Sequence, residues 1–297
     1  MLVEIIVPTY NRLNLLKETI DSVLKQKVGS NYYLKIIVSD NSTNENTSNY
    51  FSSLDNTIIT YLRRKPTLSA IEHLETIVKE VTGDLFMIFH DDDIMEDNML
   101  ANLLAGLSDD NAAIAGNPWV LRNEIIKGQF VKNLQDSYQI ITKQQLLLPY
   151  LKRRDFVPFP GYLYRKELAG IKFDKKYGKH NDVYFLAQVL KYGSIKILEK
   201  PLYCYRIHNG QDSFSSDFVG KLNLIQYIIK SCGLEKNNPD VITCRLYNIY
   251  DELRTRMFDG EMLKTRTTVR FILLCIKHRN YKLAIKMLIR IFTNFSQ

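Results

Sequence analysis

The sequence predicts an α/β fold with a mostly parallel sheet flanked by helices, followed by a helical C-terminal extension. Two observations carry this prediction. Over residues 3–89, short apolar runs of strand length alternate with segments of helical periodicity, which is the pattern of βαβ units. Beyond about residue 215, the apolar residues recur at helical spacing instead.

The elements of the first half follow from their own patterns. The apolar run Val3–Val7 predicts a buried strand that Pro8 breaks, because proline lacks the N–H that a strand ladder uses. The predicted strands are 3–7, 34–38, 58–62 and 85–89, and the predicted helices are 14–26 and 69–80. In a parallel sheet, ligands bind beyond the carboxyl ends of the strands. The polar residues after three of these strands are therefore expected to meet at one edge.

The second half of the sequence is less regular. A strand is predicted at Ala112–Ala115, a loop holding Trp119 at Asn117–Arg122, a helix at 182–192, and two short strands at 195–198 and 202–207 on either side of Pro201. The helices after residue 215 are expected to be separated by turns at Gly233, Asn237–Pro239 and Asp259-Gly260. These patterns predict a first domain over 1–212 and a helical extension over 213–297.

Cysteine usage and hydropathy predict a cytoplasmic location. The four cysteines form no CxxC pair, which argues against structural zinc and against a disulfide framework. No basic segment with an apolar stretch precedes residue 3, so a signal peptide is not expected. No apolar run reaches the ~18–20 residues that a membrane span requires.

The positive charge is concentrated at the C-terminus. The net charge is +8, and residues 261–297 hold eight Lys/Arg against a single acidic residue. The remainder is nearly neutral and shows no groove-reading motif, so nucleic-acid binding is not expected. Within the tail, Lys282, Lys286 and Arg290 share one helical face, and another is filled by Ala284, Met287, Leu288, Ile291 and Phe295. Both a helix that docks on an anionic membrane surface and an ordinary terminal helix packed on its own domain fit this pattern.

The triplet Asp91-Asp92-Asp93 ends the apolar run 85–89 and predicts a metal site. Like charges at the end of a buried strand repel one another unless a cation neutralises them or they take up protons. Carboxylate oxygens suit Mn²⁺ or Mg²⁺, and these ions suit a diphosphate. The alternative is a solvated acidic turn, with Asp93 as the N-cap of a helix that Ile94 and Met95 open.

Five ordered motifs resemble the family 2 glycosyltransferases of the GT-A fold. They are Ile6-Val7-Pro8-Thr9-Tyr10-Asn11-Arg12, Val38-Ser39-Asp40-Asn41-Ser42, Gly83-Asp84 with Phe89-His90-Asp91-Asp92-Asp93, His180-Asn181-Asp182, and Tyr205-Arg206-Ile207-His208 with Ser213. The resemblance spans residues 3 to about 213 and leaves the tail uncovered. It implies a metal-dependent inverting transferase of the bacterial polysaccharide-biosynthesis type, for example in capsule or O-antigen synthesis.

The resemblance implies a role for each matching donor-site residue. Pro8, Thr9 and Tyr10 line the nucleotide pocket, and Arg12 lies near the phosphates or the acceptor. Asp40 accepts a hydrogen bond from the base, as expected for uracil or thymine; the alternative is an Asx-turn after a strand. Asp91 approaches the ribose and Asp92 the metal, although an Asp-x-Asp register would pair Asp91 with Asp93. Asp97, where the family often has proline, favours Asp92. His90 stands where the family commonly has aspartate.

Asp182 is the catalytic base that the resemblance implies. The family usually has Glu-Asp at this point, so Asn181 is a departure and the base is kept. The alternative is that Asp182 only N-caps the following helix. His208 is expected at the metal or the leaving diphosphate, beside Asp92 and Asp93. Arg64 and Lys65 follow the third strand with Arg63, and either screen phosphate charge or form a solvated basic loop.

These roles predict a reaction and its partners. A base at Asp182 takes the proton of an acceptor hydroxyl, which attacks the anomeric carbon of a nucleotide sugar, with Mn²⁺ or Mg²⁺ on the diphosphate. The favoured donor is a UDP-sugar, and the acceptor is a glycan or lipid-linked oligosaccharide at the inner face of the cell membrane. The alternatives are an inactive GT-A scaffold or a sugar-nucleotide-binding protein, because both His90 and Asn181 depart from the family pattern.

Overall fold

The computed structural model describes residues 1–54, 57–132, 134–152, 157–208, 210–211, 217–258 and 265–294. Ser213 and Phe295, which the sequence motifs include, and the expected turn at Asp259-Gly260 lie outside these residues. The chain divides into two units. The first comprises residues 1–145, 155–173 and 182–208, and the second comprises residues 146–154, 174–181 and 209–297.

The first half of unit 1 is a parallel βαβ array, as the alternating pattern predicts. Its elements are β1 (Leu2–Thr9), α1 (Leu13–Leu24), β2 (Tyr33–Asp40), α2 (Asn46–Ser52), β3 (Ile59–Arg63), α3 (Ala70–Lys79) and β4 (Leu85–Ile88). Strand β1 pairs in parallel with β2 and β4, and β2 pairs in parallel with β3. The core on this sheet joins Val3, Ile5 and Val7 of β1 to Leu16 and Ile20 of α1. This half confirms the predicted α/β class.

The remaining elements extend the same sheet with mixed direction. They are β5 (Ile94–Met95), α4 (Met99–Gly106), β6 (Asn111–Arg122), β7 (Ile125–Gln129), β8 (Tyr138–Ile140), α5 (Lys143–Leu151), β9 (Tyr162–Arg165), α6 (Asn181–Val189) and β10 (Ser194–Ile207), with 3₁₀ turns at Phe159–Gly161, Lys166–Gly170 and Lys175–His180. The strand order is β3-β2-β1-β4-β9-β6-β10-β5, with β7 on β6 and β8 on β10. Strand β9 is antiparallel to both neighbours, whereas β6 and β10 are parallel.

Proline does not end β1, contrary to the prediction. Strand β4 pairs with β1 only as far as Ile6↔Ile88, and the carbonyl of Ile6 accepts the N–H of Phe89 at 2.8 Å. Pro8 is two residues further on and faces the same neighbour, which has ended there. Its missing N–H therefore breaks no ladder bond, and pairing with β2 continues to Thr9↔Asp40.

Three predictions for the later elements are wrong. Residues Asn117–Arg122 are strand rather than loop, and β10 is one strand through Pro201 rather than two. Strands β6 and β10 pair from Ser194↔Asn111 to Ile207↔Arg122, and register shifts on both sides of Pro201 accommodate the proline. Ile94 and Met95 form strand β5 against β10, so the next helix begins at Met99 and Asp93 is not its N-cap.

A buried carboxylate fixes the turn that leads into β4. Glu4, on β1, has no exposed surface. It accepts hydrogen bonds from the backbone N–H groups of Thr82 (2.8 Å) and Gly83 (2.9 Å), and Lys35 lies 3.0 Å away. A Cβ at Gly83 would meet the Glu4 Cγ at 2.9 Å. Glycine is therefore required for this close approach, which sets where β4 starts and hence where Asp91–Asp93 lie.

Unit 2 carries the C-terminal helices α7 (Phe218–Cys232), α8 (Pro239–Phe258), α9 (Thr265–Lys277) and α10 (Tyr281–Asn294). Asp217 caps α7 by accepting the N–H of Gly220, and Gly233 ends the helix with a φ of 63°, which favours glycine. A core of Leu246, Leu253, Phe271, Leu283 and Met287 joins α8, α9 and α10. Within the described residues, every helix is too short or too polar to span a membrane.

Candidate functional site

The polar residues after β1 and β4 meet at the carboxyl edge of the sheet, as the parallel pattern predicts. The hydroxyl of Thr9 donates to Asp91 Oδ2 at 2.6 Å, although 82 residues separate them along the chain. Asp91 is buried, and burial beside Asp92 raises the pKa of its carboxyl to about 6 despite the hydrogen bond from Thr9 and the charge of Arg12. The backbone N–H of Tyr10 also donates to Asp91, while the Tyr10 side chain is half exposed.

Arg12 supplies a cation to the acidic triplet. Its Nη1 lies 3.3 Å from Asp91 Oδ1 and 3.1 Å from Asp92 Oδ2. Arg12 directly precedes α1 and keeps about a quarter of its side chain exposed. A guanidinium in this place partly neutralises two buried carboxylates and remains accessible to a phosphate group.

Arg206, on β10, donates hydrogen bonds to two residues of the triplet. Its backbone N–H donates to Asp93 Oδ1 at 3.0 Å, and its guanidinium donates to the carbonyl of Asp92 and to the carboxylate of Glu18. The guanidinium also reaches the carbonyl of Leu15 at 3.2 Å. Sequence reasoning gave Arg206 no role; its position two residues before His208 was the available signal.

Asp93 is the most deeply buried carboxylate of the triplet. It has no exposed surface, and its Oδ2 has no hydrogen-bond partner among the described residues. Burial beside Asp92 raises the pKa of Asp93 well above its usual value. A buried acceptor without a donor costs free energy, so this oxygen fits a cation or a proton.

Three side chains of the described residues could together hold a metal ion: His90, Asp92 and Asp93, whose ligand atoms all lie within 4.8 Å of one another. One nitrogen with two carboxylate oxygens, one of them orphaned, fits a divalent ion such as Mn²⁺. The predicted set named Asp92, Asp93 and His208. His208 lies beside this set and contacts Asp92, with 2.9 Å between Nε2 and Oδ2. His90 is the residue that the sequence prediction left out, although its place in the motif pointed to it.

The two histidines and Arg12 keep Asp92 charged. Burial alone would raise the pKa of Asp92, but His90, the hydrogen bond with His208 and the charge of Arg12 together lower it below its usual value. Asp91 and Asp93 shift in the opposite direction. Asp92 therefore carries the negative charge at the centre of the triplet.

Asp40 is fully buried and hydrogen-bonded on both oxygens by its own chain. Oδ1 accepts the N–H of Ser42 at 2.8 Å, and Oδ2 accepts from Tyr61 Oη at 2.6 Å and from Arg63 Nη1. Burial would raise the pKa of Asp40, but these bonds lower it. Burial beside Asp40 in turn raises the pKa of Tyr61 to about 12. A nucleobase N–H would have to join or replace one of these donors.

The basic residues after β3 have separate partners. Arg63 pairs with Asp40, which it faces in the register of β2 and β3. Arg64 donates to Glu80 Oε1 at 2.8 Å and to Ser39 Oγ at 2.9 Å, and Lys65 lies 3.0 Å from Glu45. In the part of the chain that the structure describes, neither Arg64 nor Lys65 has a hydrogen bond or ion pair with the acidic triplet.

Asp182 lies in the first turn of α6. The helix begins at Asn181, so Asp182 is one residue inside it and bonds the N–H of Val183 at 2.7 Å. Burial raises the pKa of Tyr164 well above its usual value, and Asp182 adds to the rise. The ring of Tyr164 lies 6.1 Å from that of Phe159, which lies 6.5 Å from His90. An aromatic cluster thus connects the surroundings of Asp182 to those of the triplet.

Asn181 stands where the family usually has glutamate, and its side chain forms hydrogen bonds that a glutamate could not form. The side-chain carbonyl accepts the N–H of Asp174 at 2.8 Å, and the side-chain amide donates to the carbonyls of Asp174 (2.9 Å) and Gly178 (3.0 Å). An ionised glutamate only accepts and could not make the last two bonds. The amide closes the loop from which α6 starts.

Comparison with known proteins agrees with this geometry. The model of the family Glycosyl transferase family 2 matches residues 4–168. An Escherichia coli protein, UDP-Glc:alpha-D-GlcNAc-diphosphoundecaprenol beta-1,3-glucosyltransferase WfgD, is 25% identical over 220 residues, which are 73% of this chain and 80% of that protein.

Two solved structures share the fold at low identity. S. aureus TarS 1–349 in complex with UDP-GlcNAc has a TM-score of 0.62 at 15% identity and covers 94% of this chain and 80% of its own. The mannosyltransferase PcManGT from Pyrobaculum calidifontis, in complex with GDP-Man and Mn²⁺, has a TM-score of 0.56 at 14% identity, with 99% and 86% covered. The first of these likenesses identifies the α/β architecture as the GT-A fold.

Proposed function

The chain belongs to glycosyl transferase family 2, and we propose that it is a metal-dependent, inverting glycosyltransferase. Its proposed donor is a UDP-sugar, and its acceptor is a hydroxyl group of a glycan or lipid-linked oligosaccharide in polysaccharide synthesis. The observation that carries the proposal is the cluster at the sheet edge, where Thr9, Arg12 and His208 contact the buried Asp91 and Asp92. This much buried negative charge beside an accessible guanidinium is suited to a metal-bound diphosphate.

The metal part of the proposal rests on His90, Asp92 and Asp93. These side chains would hold Mn²⁺ or Mg²⁺, whose chemistry when bound is Lewis-acid stabilisation of the charge on the departing diphosphate. His208 bonds Asp92 and keeps that carboxylate ionised and oriented. Arg12 is placed to turn its guanidinium from Asp92 onto a phosphate oxygen.

The choice of donor draws on Asp40 and on the relatives. WfgD of E. coli uses UDP-Glc, and a TarS structure contains UDP-GlcNAc. In the proposal, Pro8, Thr9 and Tyr10 line the nucleotide pocket, and Asp91 faces the ribose. Asp40, held ionised by hydrogen bonds from Ser42, Tyr61 and Arg63, presents a fixed acceptor for a ring N–H, as in uracil. Arg64 and Lys65 would screen the phosphates.

Asp182 is proposed as the catalytic base. It would take the proton of the acceptor hydroxyl while that oxygen attacks the anomeric carbon and the carbon–phosphate oxygen bond breaks. A single displacement inverts the configuration, and the electron pair of the broken bond leaves with the diphosphate. Asp182 sits at a helix start, where a backbone N–H holds the carboxylate in place.

The proposed site of action is the inner face of the cell membrane. WfgD acts on an acceptor linked to diphosphoundecaprenol, and a similar acceptor here would bring the enzyme to a lipid surface. The basic C-terminal helices would then provide peripheral attachment without a membrane-spanning segment. This supports a place in surface polysaccharide synthesis, such as that of capsule or O-antigen.

Calorimetric titration with UDP tests the donor site. Binding is expected with Mn²⁺ and is expected to be lost with EDTA and in Asp92→Asn. Asp97→Asn removes an exposed carboxylate five residues away and is the matched control that should bind as the wild type does. Equal UDP affinity with Mn²⁺ and EDTA would overturn metal dependence, and binding without turnover of any UDP-sugar would favour the inactive scaffold.

A further inference from the structure

Helices α9 and α10 form a hairpin whose inner faces are packed within unit 2. Phe271 and Cys275 of α9 and Leu283 and Met287 of α10 are buried in one cluster with Leu246 of α8. Part of the apolar content of the tail is therefore ordinary core. Of the face predicted from the sequence, Ala284 and Met287 are buried here, while Leu288 is exposed.

A second row of large apolar side chains lies on the outer surface of this hairpin. Leu273 is 59% exposed, Ile285 55% and Ile289 57%. The outer row comprises Val269, Leu273 and Ile276 on α9, and Tyr281, Ile285, Leu288 and Ile289 on α10. The spacing of three or four residues puts the members from each helix on one face. Large apolar side chains exposed in such a row are typical of an interaction site.

The charged residues of α9 and α10 all have the same sign. Residues 265–294 contain seven Lys/Arg and no Asp or Glu. On α10, Lys282, Lys286 and Arg290 recur every four residues and so flank the outer row on one side. Ile285 and Ile289 lie next to these cations along the helix. The surface is thus apolar along its middle and positive at its border.

A groove between α8 and α10 opens beside the outer row. It has a volume of about 610 Å³ and is lined by Arg254, Lys286 and Arg290 with Tyr247, Tyr250, Asp251 and Ile289. Three cations face one carboxylate, so the lining is net positive. Guanidinium and ammonium groups are the usual partners of phosphate oxygens. Ile289 belongs both to the groove and to the outer row.

We propose that the outer row and this groove form a docking surface for an anionic phospholipid bilayer. The outer row enters the boundary between headgroups and acyl chains, and Arg254, Lys286 and Arg290 take a lipid phosphate in the groove. A second copy of the chain fits poorly, since it would bring Lys282, Lys286 and Arg290 close to the same cations of the other copy. A nucleic acid would pair with the cations but would leave the outer row in water.

Vesicle sedimentation with the full-length protein tests the surface. The probes are vesicles of phosphatidylglycerol and phosphatidylcholine (about 3:7) and vesicles of phosphatidylcholine alone. Each cation near the surface contributes about fivefold, so Lys282→Gln/Lys286→Gln/Arg290→Gln should weaken binding to the anionic vesicles about a hundredfold. Lys25→Gln/Lys27→Gln/Lys127→Gln removes three exposed charges from unit 1 and is the matched control that should retain binding.

The apolar part has its own pair of variants. Ile285→Ser should weaken binding, whereas Ile126→Ser, at a similarly exposed isoleucine of unit 1, should not. Unchanged vesicle binding in the triple α10 variant or in Ile285→Ser would overturn the proposal. So would tighter binding to a single-stranded oligonucleotide than to the anionic vesicles.

This inference deepens the proposed function by naming a membrane partner, and the two can fail separately. UDP calorimetry needs no vesicle, and vesicle sedimentation needs no donor. Variants on α10 should keep the UDP affinity of the wild type, which shows that the donor site in unit 1 is intact. Loss of vesicle binding with intact UDP affinity is the expected result.

Discussion

The buried pair between Asp40 and Arg63 allows a prediction of stability with a definite magnitude. Asp40 has no exposed surface, and among the described residues Arg63 is the only charged group that donates to it, beside Tyr61 and Ser42. In Arg63→Ala, the carboxylate stays buried with neutral donors alone. Breaking a buried ion pair in this way costs about 3–5 kcal/mol, a large part of the roughly 5–15 kcal/mol that stabilises a domain.

The loss in the free energy of unfolding depends on whether one charge of the pair stays buried without its partner. In the double variant Asp40→Asn/Arg63→Met, no charge remains buried, and the loss should fall to about 1–2 kcal/mol because only polar bonds are missing. The single variants Asp40→Asn and Arg63→Met complete the cycle, and their non-additivity measures the coupling of the pair. Lys65→Ala, whose partner Glu45 is half exposed, should cost below about 1 kcal/mol.

Urea unfolding followed by the fluorescence of Trp119 is the assay. Trp119 is the single tryptophan of the chain and lies on β6 of the same sheet, so its signal reports unit 1. The free energy of unfolding is compared among the wild type, Arg63→Ala, Lys65→Ala, Asp40→Asn, Arg63→Met and the double variant. An Arg63→Ala variant as stable as Lys65→Ala would refute the argument, since it would mean that the carboxylate takes up a proton or reaches water without cost.

Three further predictions concern pH, packing and catalysis. Burial lowers the pKa of His73 to about 4, beside Ser39. The unfolded chain therefore takes up this proton first, and the contribution of His73 should lower the free energy of unfolding by about 3 kcal/mol between pH 6.5 and pH 4. In His73→Gln, the free energy of unfolding from urea titrations should change less steeply with pH. Gly116→Ala places a Cβ 2.6 Å from Leu202 Cδ1 and 2.7 Å from Leu202 Cβ, so thermal unfolding should report a loss of about 1–3 kcal/mol. Leu202→Ala in the same chain keeps the Cβ of residue 202 and should relieve the clash only in part. Asp182→Asn should keep the UDP affinity of the wild type in calorimetry and slow sugar transfer at least about a hundredfold; transfer within tenfold of the wild type would exclude it as the base.

The first four strands could be predicted because their cause is local. Each is an apolar run bounded by a turn, and the parallel order follows from the helices between them. The meeting of Thr9 with Asp91 follows from the same logic, since parallel strands end at one edge. The individual side-chain partners could not be predicted in the same way. Asp40 faces Arg63 because of the register of β2 and β3, which the sequence pattern does not specify.

The predicted strands at Ala112–Ala115, 195–198 and 202–207 lie within β6 and β10. The full extent of these two strands could not be predicted, because its cause is distant. Asn117–Arg122 contains proline and polar residues and has no strand pattern of its own, yet β10 pairs with it along its length. The same pairing carries β10 through Pro201 and brings Arg206 to the triplet. His90 was a visible departure from the family motif, but only its distance from Asp92 and Asp93 made it a candidate ligand.

The attachment of Arg206 to Asp93 has a consequence for the order of folding. The two residues are 113 positions apart, and Arg206 and Glu18 are 188 apart. Contacts of such separation form late, because a long loop must close before any of them is gained. During synthesis, Asp91–Asp93 leave the ribosome before β10 does. Their carboxylates should therefore lack the contacts of Arg206 until β10 has formed. We expect pulsed hydrogen exchange during refolding to protect the N–H of Ile6 before that of Arg206, and simultaneous protection would contradict this order.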